Sequence, residues 1–216
     1  MNQLSQFQLA TQLLYAVAIP YFFVAMWLEF RLIKSLQGRK PDIQGPIDRV
    51  QGYELKDSLC SIAMGALKLM TTAIALIWSL PLMAWLYQHK VFELGISSWW
   101  FIPLLIVGDD FCYYWYHRVA HRCALFWAEH SNHHTSEHYN LSTALRQSVL
   151  GPFYSFVFWL PLAWLGFDPV TLAFAHTVNL LYQYWIHSEV FEVHGWFEKV
   201  FHFIQEKLKL NWMLFE

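Results

Sequence analysis

Residues 113–140 read YYWYHRVAHRCALFWAEHSNHHTSEHYN and carry six of the chain's eleven histidines. The stretch follows directly on an apolar run, so its reading decides both what surrounds the chain and what the chain does. HRVAH sets His117 and His121 four apart, on one helical face and one turn from each other. HSNHH sets His130, His133 and His134 at i, i+3 and i+4, again a single face. Neutral imidazole is the commonest metal ligand, and pairs at this spacing can chelate one ion. One such pair is ordinarily structural; two consecutive clusters at the end of an apolar helix point to metal. Five nitrogens exceed a tetrahedral zinc site, and no H-E-x-x-H supplies a zinc protease's general base. Abundant imidazole with hardly any thiolate suits one or two iron ions.

Composition places this cluster in a membrane protein. Apolar residues make up 56% and charged residues only 14% of 216, against roughly 25% charged in globular domains. Aromatic residues, at 19%, suit belts at two membrane interfaces. A net charge of −2 with no basic tract excludes a nucleic-acid partner. Cys60, Cys112 and Cys123 are scattered without C-x-x-C spacing, which argues against a disulfide framework or thiolate zinc site. The first ten residues lack Lys and Arg, and the apolar run behind them ends at Glu29 and Arg31 without a small-residue cleavage site. A retained anchor is expected there, not a removed signal.

Five apolar runs are long enough to enter or cross a bilayer: 12–30, 69–87 with an amphipathic lead-in over 59–68, 99–116, 151–167 and 169–187. Asp168-Pro169 marks a tight turn between the last two. If all five span, thirteen of the fourteen Lys and Arg fall on one side and only Lys90 on the other. The positive-inside rule makes the rich side, with every histidine of 113–140, cytoplasmic. Short or acid-bearing runs can instead be re-entrant. The expectation is an all-α, polytopic integral-membrane helical bundle of about four to five membrane helices with a cytoplasmic His-rich helical cap. Nothing divides residues 1–216 into two domains; 41–52 is a Pro/Gly-punctuated loop.

The pattern H-x3-H then H-x2-H-H, set in DDFCYYWYHRVAHRCALFWAEHSNHHTSEHYNLSTALRQS, resembles the fatty acid hydroxylase/sterol desaturase superfamily over roughly residues 45–200. HHTSEHYNLSTALRQS is most similar to its alkylglycerol-monooxygenase-like branch. The resemblance implies a membrane-bound, non-haem di-iron oxidoreductase that uses O2 to hydroxylate or desaturate a lipid or sterol. It implies His117, His121, His130, His133 and His134 as ligands, joined from the last helix by His187 in HTVNLLYQYWIHSE. Eleven residues before His187, ~16 Å deeper on nearly the same helical face, lies His176. Three roles stay open for it: deep ligand, polar group of a substrate channel, or hydrogen-bonded packing residue. Asp110 shares the face of His117 by spacing and either orients an imidazole from outside the ligand set or is a headgroup-solvated charge. Asp109 adjoins it. Asn140 and Arg146 fix the loop or contact phosphates. His89, His138, His194 and His202 are read as surface or packing residues.

Side-chain acids and bases cannot attack an unactivated C–H bond, so the metal must carry the reaction. No nucleotide or flavin fingerprint is present, so a separate electron donor is expected. The family pattern also predicts a third box, H-x2-H-H, after a segment like GWFEKVF. The chain instead reads FHFIQEKLKLNWMLFE, with His202 alone, and a truncated end is expected. That leaves two competing readings. One is a non-catalytic polytopic relative; the other is a metal-binding membrane protein such as a transporter, which should place its ligands near the bilayer midplane.

Overall fold

The computed structural model describes residues 3–37, 52–136, 138–185 and 187–188. Among these every regular element is helical. Two helices dominate, α1 (Gln3–Gln37) and α2 (Leu55–Gln88). Both are long and apolar enough to cross a membrane, and only 22% and 11% of their most apolar windows are buried. Leu13, Val17 and Val24 on α1 and Leu69, Met70 and Ile77 on α2 face outward. That is the opposite of a soluble core helix, which turns its apolar stripe inward. At 1.5 Å per residue each helix is ~50 Å long, against a hydrocarbon thickness of ~30 Å.

The lead-in over 59–68 and the run over 69–87 form one continuous helix, capped where the Glu54 carboxylate accepts the Asp57 N–H at 2.7 Å. Next come α3 (Phe101–Arg122) and α4 (Ala124–His130), which are followed by 3-10 turns at Ser131–Thr135 and Leu141–Leu145. The fourth run is not one helix. It breaks into α5 (Pro152–Ser155), a 3-10 turn (Phe156–Trp159) and α6 (Leu160–Leu165). Pro161, lacking an N–H, cannot bond the carbonyl four residues back, which is where the α-helical ladder is interrupted. Gly166, at φ +120°, ends α6 close against the Phe92 carbonyl, a conformation and approach that any side chain would obstruct. Asp168 then accepts the Val170 N–H at 2.8 Å, opening α7 (Pro169–Trp185) as the Asp-Pro signal predicts.

Despite its break, the fourth run traverses the bundle. Its start is tied to the histidine end, where Leu150 N–H donates to Glu129 at 2.8 Å. Its end lies at the opposite pole, where Val91 N–H donates to the Trp164 carbonyl at 2.9 Å. Among the described residues the chain therefore passes between the two poles five times. α7 is the central strut, packed on both α1 and α3. At the far pole Phe101, Leu105, Leu162, Ala163 and Phe167 form the core.

Candidate metal centre

Three buried polar ties hold the histidine pole together, and none of them joins neighbours in sequence. Arg146 and Asp57 form an ion pair at 2.9 Å with side chains 6% and 14% exposed, sealed enough from water to constrain both. Asp57 also accepts the Ser136 hydroxyl at 2.6 Å, and Arg146 donates to the Thr135 hydroxyl at 3.2 Å. Asn140, fully buried, donates to the Gly52 carbonyl at 2.9 Å and caps the turn after it through the Ser142 N–H. Glu29, also fully buried, accepts from the Leu141 N–H at 2.8 Å and from the hydroxyls of Tyr53 and Ser188. Thus α1, α2 and the end of α7 all grip the segment that carries the histidines.

Within that grip His117 and His121 from α3, His130 from α4 and His134 from the following turn converge. Their ligand nitrogens all lie within 4.8 Å of one another. The Nε2 atoms of His117 and His121 are 3.0 Å apart, and those of His130 and His134 are 3.4 Å apart. Trp127 lies against the rings of both His121 and His134, walling one side. His133 points elsewhere, placing its Nε2 3.2 Å from that of His187. Its ring is still 5.3 Å from that of His134, centroid to centroid, so the pair and the group of four are contiguous.

These separations fit metal ligation. Two nitrogens each ~2.1 Å from one ion, at the near-right to tetrahedral angles of a coordination sphere, sit ~3.0–3.4 Å apart. Tautomer chemistry strengthens the case at the pair. His133 Nδ1 is 2.7 Å from the Arg146 carbonyl, and His187 Nδ1 is 2.7 Å from the Gln183 carbonyl. A carbonyl only accepts, so both Nδ1 atoms carry hydrogen. In neutral rings both Nε2 atoms are then bare lone pairs aimed at each other, an arrangement that a cation stabilises. An Nδ1–H held by a main-chain oxygen is the usual outer support of a metal-bound histidine. Burial, reinforced by neighbouring imidazoles, pushes His130 down to about 3 and His133 to about 4 and lowers His134. All three therefore offer lone pairs at neutral pH.

The other expected residues fall outside the cluster. His176 sits deep on α7, edge-on to Trp159, with Nδ1 3.6 Å from Asp109, too long for a hydrogen bond. Asp109, not Asp110, is the buried carboxylate: it accepts from Trp159 Nε1 at 2.6 Å and from Asn179 at 2.9 Å. Asp110 is half-buried, two turns or ~10 Å from His117 along α3, and bonds to no histidine among the described residues. Asn140 and Arg146 fix the loop. The carbonyl of His138 accepts from Asn140 and Thr143, and His89 Nδ1 bonds the Trp85 carbonyl at the other pole. His194, His202 and the segment expected to hold a third box lie outside the described residues. Sequence reasoning missed Asp57 and the inward role of Glu29; a carboxylate at the edge of an apolar run was the available signal for Glu29.

A cavity of about 380 Å³ opens at this cluster and runs along α7, from His130, His133 and His187 to Pro169 at the far pole. Its walls are mostly apolar, including Leu76, Leu80, Met83 and Trp159, and His176 faces it midway. The site thus joins a nitrogen-rich histidine pole to a mostly apolar bore.

Comparison with known proteins agrees with this anatomy. The human alkylglycerol monooxygenase is 40% identical over 176 residues, covering 80% of this chain and 36% of the relative. Those of Danio rerio and Xenopus tropicalis are 38% and 34% identical, with the same coverage. The chain spans little more than a third of the length of these relatives, at 36%. No solved structure matches it. The profile of the fatty acid hydroxylase family matches residues 102–209, from α3 with its two histidines through the last helix and beyond. The chain belongs to the fatty acid hydroxylase family.

Proposed function

We propose that residues 1–216 form a single domain of a membrane-bound, non-haem di-iron oxidoreductase that uses O2 to oxidise a lipid. His117, His121, His130 and His134 would hold one iron, and His133 and His187 would contribute to a second. The observation that carries this reading is the set of cis-ligand nitrogen separations, 3.0, 3.4 and 3.2 Å, at the mouth of an apolar cavity. Bound iron would supply activation of O2 and the oxidation of an unactivated C–H bond. The overall change is a hydroxylation: one oxygen atom enters the lipid, the other leaves as water, and two electrons from a separate donor and two protons complete the balance.

The protein's own part is positioning. Carbonyl-anchored His133 and His187 keep their Nε2 atoms bare, Trp127 screens one side from water, and the bore aligns an apolar chain with the metal pole. A cavity of about 380 Å³ extending over most of α7 suits an apolar chain laid along that helix, in keeping with the name of the alkylglycerol monooxygenases that the chain resembles. Passes along α1, α2, α3, the broken segment and α7 would place the histidine pole on the cytoplasmic side, by the excess of Lys and Arg in its connections. His176, facing the bore beside Asp109, is a polar group of the channel in this reading.

Iron and zinc content per chain of the detergent-purified protein is the test. Two irons per chain, falling in His133→Ala, supports the reading. Absence of iron in wild type, with His133→Ala indistinguishable, sinks it.

A further inference from the structure

The cavity is mostly apolar, and at the histidine pole a cation faces it. Lys68 lines the bore together with His130, His133 and Gln147. Its ammonium donates to the Gln147 Oε1 at 3.0 Å, and the Gln147 amide is itself pinned by donating to the Ala144 carbonyl at 2.9 Å. An ammonium has three donors, and Gln147 takes one of them. Lys68 shares the cavity wall with both His130 and His133, which places it at the histidine pole.

A lysine at the end of a membrane-crossing stretch ordinarily extends its amine outward to headgroups and water. Lys68 does the reverse. It turns inward, half-buried, onto a fixed amide and a cavity. Glu129 offsets part of the cost of holding this cation beside a cluster built for further cations, and an oxygen-bearing, electron-rich group between them would offset more. Two ammonium donors remain beyond the one that Gln147 takes, at the neck of an apolar bore where an oxygen acceptor is favoured.

We propose that Lys68, oriented by Gln147, binds an oxygen of the polar head of a single-chain amphiphile whose tail fills the rest of the cavity. This deepens the oxygenase reading and rests on it for treating the bore as the substrate's. Head recognition at the metal pole has a regiochemical consequence. The carbon presented to the histidines lies within a few bonds of the head, and the far end of the tail points to Pro169, away from the chemistry.

Three probes of one chain length test this by equilibrium binding to the full chain as purified: hexadecanoate, 1-O-hexadecylglycerol and hexadecane. Lys68→Met is expected to weaken at least one headed probe by roughly tenfold or more, the worth of one charge-assisted hydrogen bond, and to leave hexadecane unchanged. The headed probe that loses more identifies the head as carboxylate or polyol. Equal loss for all three, or loss for none, overturns the proposal. If Lys68→Met does not fold, Gln147→Glu competes for the ammonium within nearly the same volume. It should weaken at least one headed probe and leave hexadecane unchanged, and unchanged binding of both headed probes there overturns the proposal too. Metal content is measured in parallel: head-selective binding by a chain without iron would refute the oxygenase reading alone.

Discussion

The histidine pole contains two sets of histidines built by different means. His117, His121, His130 and His134 lie within eighteen residues of sequence and are assembled by α3, α4 and one following turn. His133 and His187 are separated by 54 positions and meet only because α7 returns to the same pole. The first set depends on local helical spacing, the second on the whole bundle. Its dependence extends outward: the anchor of His133 is the carbonyl of Arg146, whose side chain is paired with Asp57 on α2. A perturbation of helix packing should therefore reach the pair before it reaches the group of four.

The largest expected effect separates the sets directly. His187→Ala leaves a single imidazole of the pair and should remove about one metal equivalent per chain, whereas His121→Ala leaves three ligands and should mainly weaken binding. Metal analysis after dialysis against a weak chelator distinguishes them. Equal loss from both variants would dissolve the distinction. Next comes Asp57→Ala, which leaves the Arg146 guanidinium buried without its partner. Breaking such a pair costs about 3–5 kcal/mol; the variant should show a markedly lower thermal midpoint and release the metal of the pair ahead of the other.

Acidification gives the finest comparison. An unperturbed imidazole titrates near 6.5, and burial holds His130 to about 3 and His133 to about 4. Between those values the unfolded chain binds more protons than the folded one. The metal-free protein should thus be fully stable above about pH 6.5 and lose stability as the pH falls toward 4. The pair, with two imidazoles against the other set's four, should give up metal at a higher pH than the group containing His130. Two-step metal release on acid titration is the expected record; one step would argue for a single coupled site.

How much of this was legible beforehand follows the same division. Helical period alone places His117 with His121 and His130 with His134, because those contacts are one turn long. That the end of α7 joins the histidine pole was readable through family resemblance, not through spacing. Asp57–Arg146 and Lys68–Gln147 were not readable, since they join residues 89 and 79 positions apart and neither carries a local signature. The choice between Asp109 and Asp110 failed for a related reason. Spacing puts Asp110 on the face of His117, but the packing of Trp159 and Asn179 against α3 decides which carboxylate is buried. The broken fourth run shows a further limit: hydropathy reads through Pro161, while the backbone ladder does not.

The two hydrogen bonds that fix the rings of the pair end on main-chain oxygens, those of residues 146 and 183. No side-chain substitution at either position deletes them. A mutational scan would score Gln183 as it scores any packing residue, and would attribute the loss at Arg146 to its ion pair with Asp57. The support of this site is in that sense written in chain geometry, inherited by any sequence that keeps the backbone in place and lost by any that moves it.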